Sequence, residues 1–491
     1  MINSQLTTCL SAGILSSVGS IGLALLVLLA MITVHEFGHY IVGKIFNFKI
    51  NEFAIGMGPA IYKKTQKNGE IFSIRMLPLG GFCAFEGEDE NNNDERAFNN
   101  KKPWQRALVL VAGATMNFIA AILVFCISIS CYGQMCMQAF EVVPLEPESS
   151  YSLQNEDIIL NLNNKDIYLT TDLISALKGK NEGEIVSATV LRNGKQEDIE
   201  IRLRATPSSE SLEDYSNILK SLGIANLTAV SESESKITST LMQGDFILRL
   251  SSATPIFYSE KADGLTDCVV IENGENVLKY IDEQTYLAEQ RAFTPQDFLD
   301  IVKTFNAGDN LFIYISRGAD RVCLQYTLPE NFNDIKATDD GIYSHFGIKL
   351  AIAGSRMYSA NVKFGFIESL GRGVVYAFKN AGATLSSFWQ LITGKLSLNA
   401  MGGPITTITV TSQYASLGFN YLLEIAGFIG VSLAVFNLLP IPALDGARVV
   451  FVLIEWIRKK PINRNIEGTI HAIGLVALLI FAVLIDLVKC I

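Results

Sequence analysis

Residues 22–44 read GLALLVLLAMITVHEFGHYIVGK, and the reading of this stretch settles what kind of molecule the chain is. Its first half is aliphatic, and the hydrophobic run, free of Asp, Glu, Lys and Arg, extends back to Leu6. Leu6 to Val34 therefore exceeds the roughly 20 residues that a helix needs to cross the hydrocarbon core. The second half sets His35, Glu36 and His39 into the same helical stretch. Positions i and i+4 share one helix face, so two imidazoles can converge on one metal ion with the intervening Glu beside it. Three ionisable side chains inside an apolar helix are costly and point to function. The run has no basic start and no small-residue cleavage site before His35, so it reads as a span and not as a cleaved signal peptide.

Working outward, Ala107 to Phe140 and Ile425 to Leu444 are also free of charged residues and long enough to span, and Thr469 to Ile485, interrupted by His471, makes a fourth. Composition agrees: of 491 residues 49% are hydrophobic and only 18% charged, against about 25% in ordinary soluble domains. Lys and Arg near span ends favour the cytoplasm. The loop after the first span carries Lys44, Lys49, Lys63, Lys64, Arg75 and Arg106 among others, and the loop after the third carries Arg458, Lys459, Lys460 and Arg464. Both are expected inside, which puts the two termini and residues 141–360 outside, in the periplasm of a Gram-negative cell. That outer block holds 34 of the 49 acidic and 19 of the 39 basic residues, a net −15 against +5 for the remainder. The net charge of −10, with no clustered basic surface, argues against a nucleic-acid partner. Eight cysteines without a C-x-x-C pair argue against a Cys-ligated structural zinc.

Within the outer block the pattern changes to short strands with turns. Residues 157–163 lead to a helical stretch near 172–177, then a hairpin of Ile185 to Leu191 and Ile199 to Leu203 about Asn193-Gly194. The order recurs as 244–250, a helix at Pro295 to Phe305, and strands Asn310 to Ser316 and Val322 to Leu328 about Arg317-Gly318. Both copies resemble PDZ domains, over 140–206 and 222–332. Gly244-Asp245-x-Ile247 fits that family's strand start, whereas the first copy has Glu156 in place of the glycine, and the second carries an acidic insertion near Ser251 to Arg291. The resemblance implies that each copy adds a peptide strand at a sheet edge; the competing reading is that they are spacers or size filters.

Zinc suits two neutral imidazoles plus a carboxylate, with a position left for water, and Glu36 would take a proton from that water and pass it to the leaving amine. If the helix ends near Lys44, His35 lies nine residues inside, roughly 13 Å at 1.5 Å per residue. The third ligand is expected from another segment entering the bilayer. Asn437-Leu-Leu-Pro440-Ile-Pro442-Ala-Leu-Asp445-Gly446 ends the third span, and its two prolines break a helix at depth. Asp445 is the expected ligand, with Glu424 and Asp486 as alternatives.

H-E-F-G-H in the first span with N-L-L-P-I-P-A-L-D-G in a late one resembles the site-2 protease family of intramembrane metalloproteases, and the four-span plan with two PDZ-like modules is most similar to its regulator of sigma-E group. Phe53 to Pro59, Pro78-Leu79-Gly80-Gly81-Phe82 with Glu86-Gly87-Glu88, and Lys102-Pro103-Trp104-Gln105-Arg106 running into Ala112-Gly113 and Asn117 extend the resemblance over nearly the whole chain; Ala114 departs from it, where relatives tend to have proline. The resemblance implies a polytopic α-helical membrane protein of four transmembrane helices, two periplasmic mixed α/β PDZ-like domains and a membrane re-entrant β-hairpin. The expected divisions are 1–139, 140–206, 222–332, a juxtamembrane amphipathic segment at 360–420, and 421–491. It implies zinc at His35, His39 and Asp445, Glu36 as general base, and substrate contacts from Asn437, Pro440 and Pro442 and from Ile71, Phe72, Ser73 and Ile74, whose strand edge would pair with an unwound substrate. The implied function is cleavage of single-pass membrane proteins, such as an anti-sigma factor already trimmed by an upstream site-1 type protease, in the inner membrane. The alternative is a catalytically silent membrane scaffold or quality-control receptor.

Overall fold

The computed structural model describes residues 2–490 apart from 89–92, 140–141, 143–152, 208–214, 225, 234–240, 263–264, 273–274, 283–289, 292–293, 318–319, 356–357, 396–401 and 461. Phe140, at the expected start of the first module, and Gly318, of the expected second turn, lie outside the described residues. The chain divides into two compact units, residues 1–134 with 361–491, and residues 135–360.

Among the described residues of the first unit, four helices are long and apolar enough to cross a membrane: Gly19–Ile45, Pro103–Tyr132, Phe419–Asn437 and Ile466–Leu487. The protein is a multi-pass membrane protein. The second span is shorter than its apolar run. Gly133 takes φ 92°, a conformation that costs glycine little, and the apolar tail continues as the strand Gln134–Gln138. The third ends at Asn437 and not Leu444, because Pro440 and Pro442 cannot continue a helix. Residues 360–420 contain two helices, Phe366–Ile392 and Pro404–Leu417. The first turns Ser369, Gly373, Ala377, Asn380 and Thr384 inward and leaves Ile367, Phe378, Leu385 and Trp389 exposed. That is the reverse of a soluble amphipathic helix and fits an apolar face turned to lipid.

The strands Ile50–Thr65 and Ile71–Phe85 each bend, at Gly56 and Gly58 (φ 85° and 84°) and at Gly80 (φ 90°), so the hairpin folds into four short arms. Ser73 is paired with Lys63 on one side and with Ala54 on the other, and Ala54 is paired in turn with Phe82. The expected free edge at Ile71, Phe72, Ser73 and Ile74 is therefore not an edge: those residues form a central arm. Phe72 stacks on Phe53, and the buried Ser73 hydroxyl donates to Glu52 Oε1 at 2.5 Å. The outer arm nearest the first span is 81–85.

The second unit holds the repeat. Strands Gln134–Gln138, Ile158–Leu162, Ile185–Arg192 and Lys195–Arg202 lie in that order in one sheet, and Asn226–Ser233, Phe246–Ser251, Asn310–Arg317 and Asp320–Thr327 in the other. The likeness reaches individual hydrogen bonds. Asp157 accepts Arg192 Nε and Nη2 at 2.8 and 2.7 Å and the Gln154 amide at 2.8 Å. Asp245 accepts Arg317 Nε and Nη2 at 2.9 and 2.8 Å and the Met242 amide at 2.8 Å. Such paired charge-assisted bonds satisfy a buried carboxylate in both copies. Glu156 takes φ 69° where Gly244 takes 92°, so the substituted residue adopts the backbone that the glycine would.

The module helices differ in capping. Thr294 and Asp297 exchange bonds in a capping box, whereas in the first copy Asp172 accepts the Leu169 amide without a hydroxyl to reciprocate. The insertion contributes the strands Leu265–Glu272, Glu275–Asp282 and Phe257–Tyr258, which extend the second sheet beyond Asp320–Thr327. The second module also runs past residue 332. Ile342, Phe346 and Ile348 belong to the same core as Phe298, Val302 and Ile313, and the strand Ile348–Ser355 pairs along Asn226–Ser233.

Candidate metal centre

The first span carries His35 and His39 one turn apart, and the second span lies against them at a glycine. A side chain at Gly113 would occupy the space of both imidazoles, and one at Gly38 would meet the Ala112 carbonyl, so small residues let the two helices approach. This explains Ala112-Gly113 structurally. It also brings the Val109 carbonyl to His39 Nδ1 at 2.8 Å. A carbonyl only accepts, so Nδ1 carries the proton there, and Nε2 of the neutral ring presents its lone pair to the opposite side.

That lone pair faces His35 Nε2 at 3.1 Å and Asp445 Oδ2 at 3.4 Å, and His35 Nε2 lies 2.9 Å from the same oxygen. The donor atoms of the three residues all fall within 4.8 Å of one another. Three electron-rich atoms converging in a buried site call for a cation. Two imidazole nitrogens and one carboxylate oxygen are a fitting set for zinc with a coordination position left open.

Asp445 arrives from far along the sequence because its loop is forced. Asn437 ends the third span, 438–444 form a tight turn with Ala443 at φ 84°, and Asp445 opens the helix Asp445–Arg458. Holding a residue with a β-carbon there costs about 1–3 kcal/mol. A side chain at Gly446 would strike the carbonyls of Leu438 and Leu439, which accounts for the glycine after the aspartate. One turn on, Arg448 pairs with Glu88 of the Glu86-Gly87-Glu88 segment.

Glu36 lies beside the centre, with the amide of Cys83 in the outer hairpin arm as a backbone partner and its Cγ within 3.5 Å of where a side chain at Gly81 would begin. The Asn437 amide sits 3.4 Å from His35 Nδ1, the nitrogen turned away from Asp445. Pro442 packs on the fourth span at Gly474, and Pro440 is exposed. Ile71, Phe72, Ser73 and Ile74 are not brought to the centre as a free edge. The two alternative ligands are engaged elsewhere. Glu424 accepts from the Tyr376 hydroxyl at 2.8 Å. Asp486 accepts the amides of Ile405 and Thr406 at 2.8 and 3.2 Å, capping the helix that begins at Pro404. Gly403 leaves room for that carboxylate, so Gly402-Gly403-Pro404 is a helix start. Sequence reasoning missed the Val109 carbonyl, which carries no side-chain signal, and His471, which reads only as an interruption of an apolar run.

Comparison with known proteins follows the same line. The model of peptidase family M50 matches residues 23–481. The chain is similar to the regulator of sigma E protease of Haemophilus influenzae, 25% identical over 490 residues, covering 97% of this chain and 100% of the relative. It is likewise similar to the Thermotoga maritima protein named "Putative zinc metalloprotease", 26% identical over 502 residues, covering 93% and 96%.

Proposed function

The chain belongs to peptidase family M50 and is a zinc metalloprotease, and from that premise we propose that it cleaves single-pass membrane proteins in or near their transmembrane segment, as one step of regulated intramembrane proteolysis. The observation that carries the reading is the convergence of Asp445, from the loop after the third candidate span, on His35 and His39 of the first, a helix long and apolar enough to cross a membrane.

His35 and His39 would hold zinc through Nε2 and Asp445 through Oδ2. When bound, zinc supplies a Lewis acid that lowers the pKa of a water and polarises the scissile carbonyl. Glu36 is the general base: it takes a proton from the attacking water and returns it to the leaving amine. The Val109 carbonyl accepts from His39 Nδ1, and the Asn437 side-chain amide, turned to present Oδ1, would accept from His35 Nδ1, so that each ligating imidazole holds its angle through its other nitrogen. A peptide bond in a transmembrane helix is internally hydrogen-bonded, so the substrate must be extended before attack. The arm 81–85 is the better docking edge, because it borders Glu36 and pairs on its other side with 50–55. The central arm 71–74 supports it.

The outer unit acts as a size filter that excludes substrates whose external domain is intact. In the second PDZ-like module the strand Ile348–Ser355 pairs along Asn226–Ser233, so the chain's own segment covers that edge, which favours exclusion over capture of peptide ends. A pre-trimmed anti-sigma factor in the inner membrane is the substrate that the relative's name suggests, with a site-1 type protease acting first. The test is a reconstituted cleavage assay on a single-span reporter carrying either a trimmed or a bulky outer domain, with the cut bond mapped by mass spectrometry. Cleavage near the span of the trimmed reporter alone is expected; a cut far outside the span overturns the reading.

A further inference from the structure

The loop that delivers Asp445 is gripped from one side by the fourth span. His471 Nδ1 accepts the backbone amide of Ala443 at 3.0 Å, and the His471 ring meets Phe451 edge-on with centroids 5.7 Å apart. One turn along, Gly474 lets the span's backbone close on Pro442, where a side chain would overlap the proline itself. Span four thus touches residues 442, 443 and 451, on both sides of Asp445 in sequence. Ala443 is the residue at φ 84°, a conformation that an alanine does not hold unaided.

We propose that His471 is a positioning residue: its Nδ1 lone pair fixes the strained Ala443 amide and so aims the Asp445 carboxylate at the metal. The chemistry requires an unprotonated Nδ1, because the amide can only donate. A side chain with an acceptor at that point replaces it, and one without an acceptor does not. Asparagine carries its Oδ1 at a similar distance from the backbone, whereas leucine fills the space and accepts nothing. The inference rests on Asp445 being a ligand, and deepens that reading.

The test uses the full-length protein with wild type, His471→Leu, His471→Asn and Asp445→Ala, each read for zinc loss to a chelator and for kcat and KM on a single-span reporter. Outer-shell partners of metal ligands are commonly worth about 10–100-fold, so His471→Leu should release zinc and lose kcat by about tenfold or more with KM within about twofold. His471→Asn should stay within about threefold of wild type, since a role of mere bulk would be better served by leucine. Equal zinc retention and kcat in His471→Leu and wild type overturns the proposal if Asp445→Ala loses its zinc. If Asp445→Ala also keeps its zinc, the ligand assignment beneath the proposal falls, and the proposal with it. Should His471→Leu fail to fold, Gly474→Ala decides: it suits a helix but pushes on Pro442, so faster zinc release supports the clamp and wild-type retention overturns it.

Discussion

Asp157 and Asp245 in the unit of residues 135–360 each accept a bidentate guanidinium and a backbone amide, and every acceptor named there faces a donor. In the membrane unit Asp445 faces two imidazole nitrogens, one of which, on His39, already has its partner nitrogen committed to Val109. The two module carboxylates are each paired with an arginine of the protein itself, whereas the carboxylate of the membrane unit faces two imidazoles, a set that suits a bound metal ion. Closed accounting marks a structural group, and converging acceptors mark a functional one. The distinction explains why Arg192 is held above its ordinary pKa by Asp157, as a pair that stays charged, without pointing to any chemistry.

The comparison breaks first at Glu36. Glu36→Gln should lower cleavage by about 10²–10⁴-fold while zinc content stays at the wild-type level. Unchanged cleavage by a preparation free of contaminating proteases would remove Glu36 as the base. Next, purified wild type should hold about one zinc per chain by elemental analysis, and His35→Ala or Asp445→Ala should lose most of it. Full occupancy in either variant sinks that ligand.

In the first module, Arg192→Ala leaves a buried carboxylate without its cation and should cost about 3–5 kcal/mol locally, seen as faster hydrogen exchange across 153–203 with zinc retained. Zinc loss in that variant would show that the two kinds of site are not separable. The smallest effect is expected for Glu156→Gly, which relieves a left-handed residue and should slow exchange in the same segment by about 1 kcal/mol. Faster exchange would mean that the Glu156 side chain contributes more than its backbone costs.

Much of the centre was legible because its signal is local. H-E-x-x-H sets two imidazoles on one helix face, and a carboxylate after two prolines is conspicuous in an apolar run. The hairpin was read less well. Ile71 to Ile74 has strand character, but whether a strand is central or at an edge depends on partners brought back by bends at Gly56, Gly58 and Gly80, which alternation of residues does not encode. The same limit applied to the second module's end, where Ile348 joins a core begun a hundred residues earlier. Glu156 misled in the opposite sense: its identity breaks the repeat while its backbone keeps it.

By itself the sequence determined the spans, the two-histidine face and the repeated modules between the second and third spans, since hydrophobic length and helical period act between near neighbours. Tertiary structure alone decided that Asp445, and neither Glu424 nor Asp486, lies against the two histidines, that 81–85 is the outer arm, and that His471 reaches the loop before Asp445. Those outcomes depend on which helices pack together. Packing here turns on glycines such as Gly38, Gly113 and Gly474, whose contribution is the space they leave, and empty space shows only once the neighbours are in place.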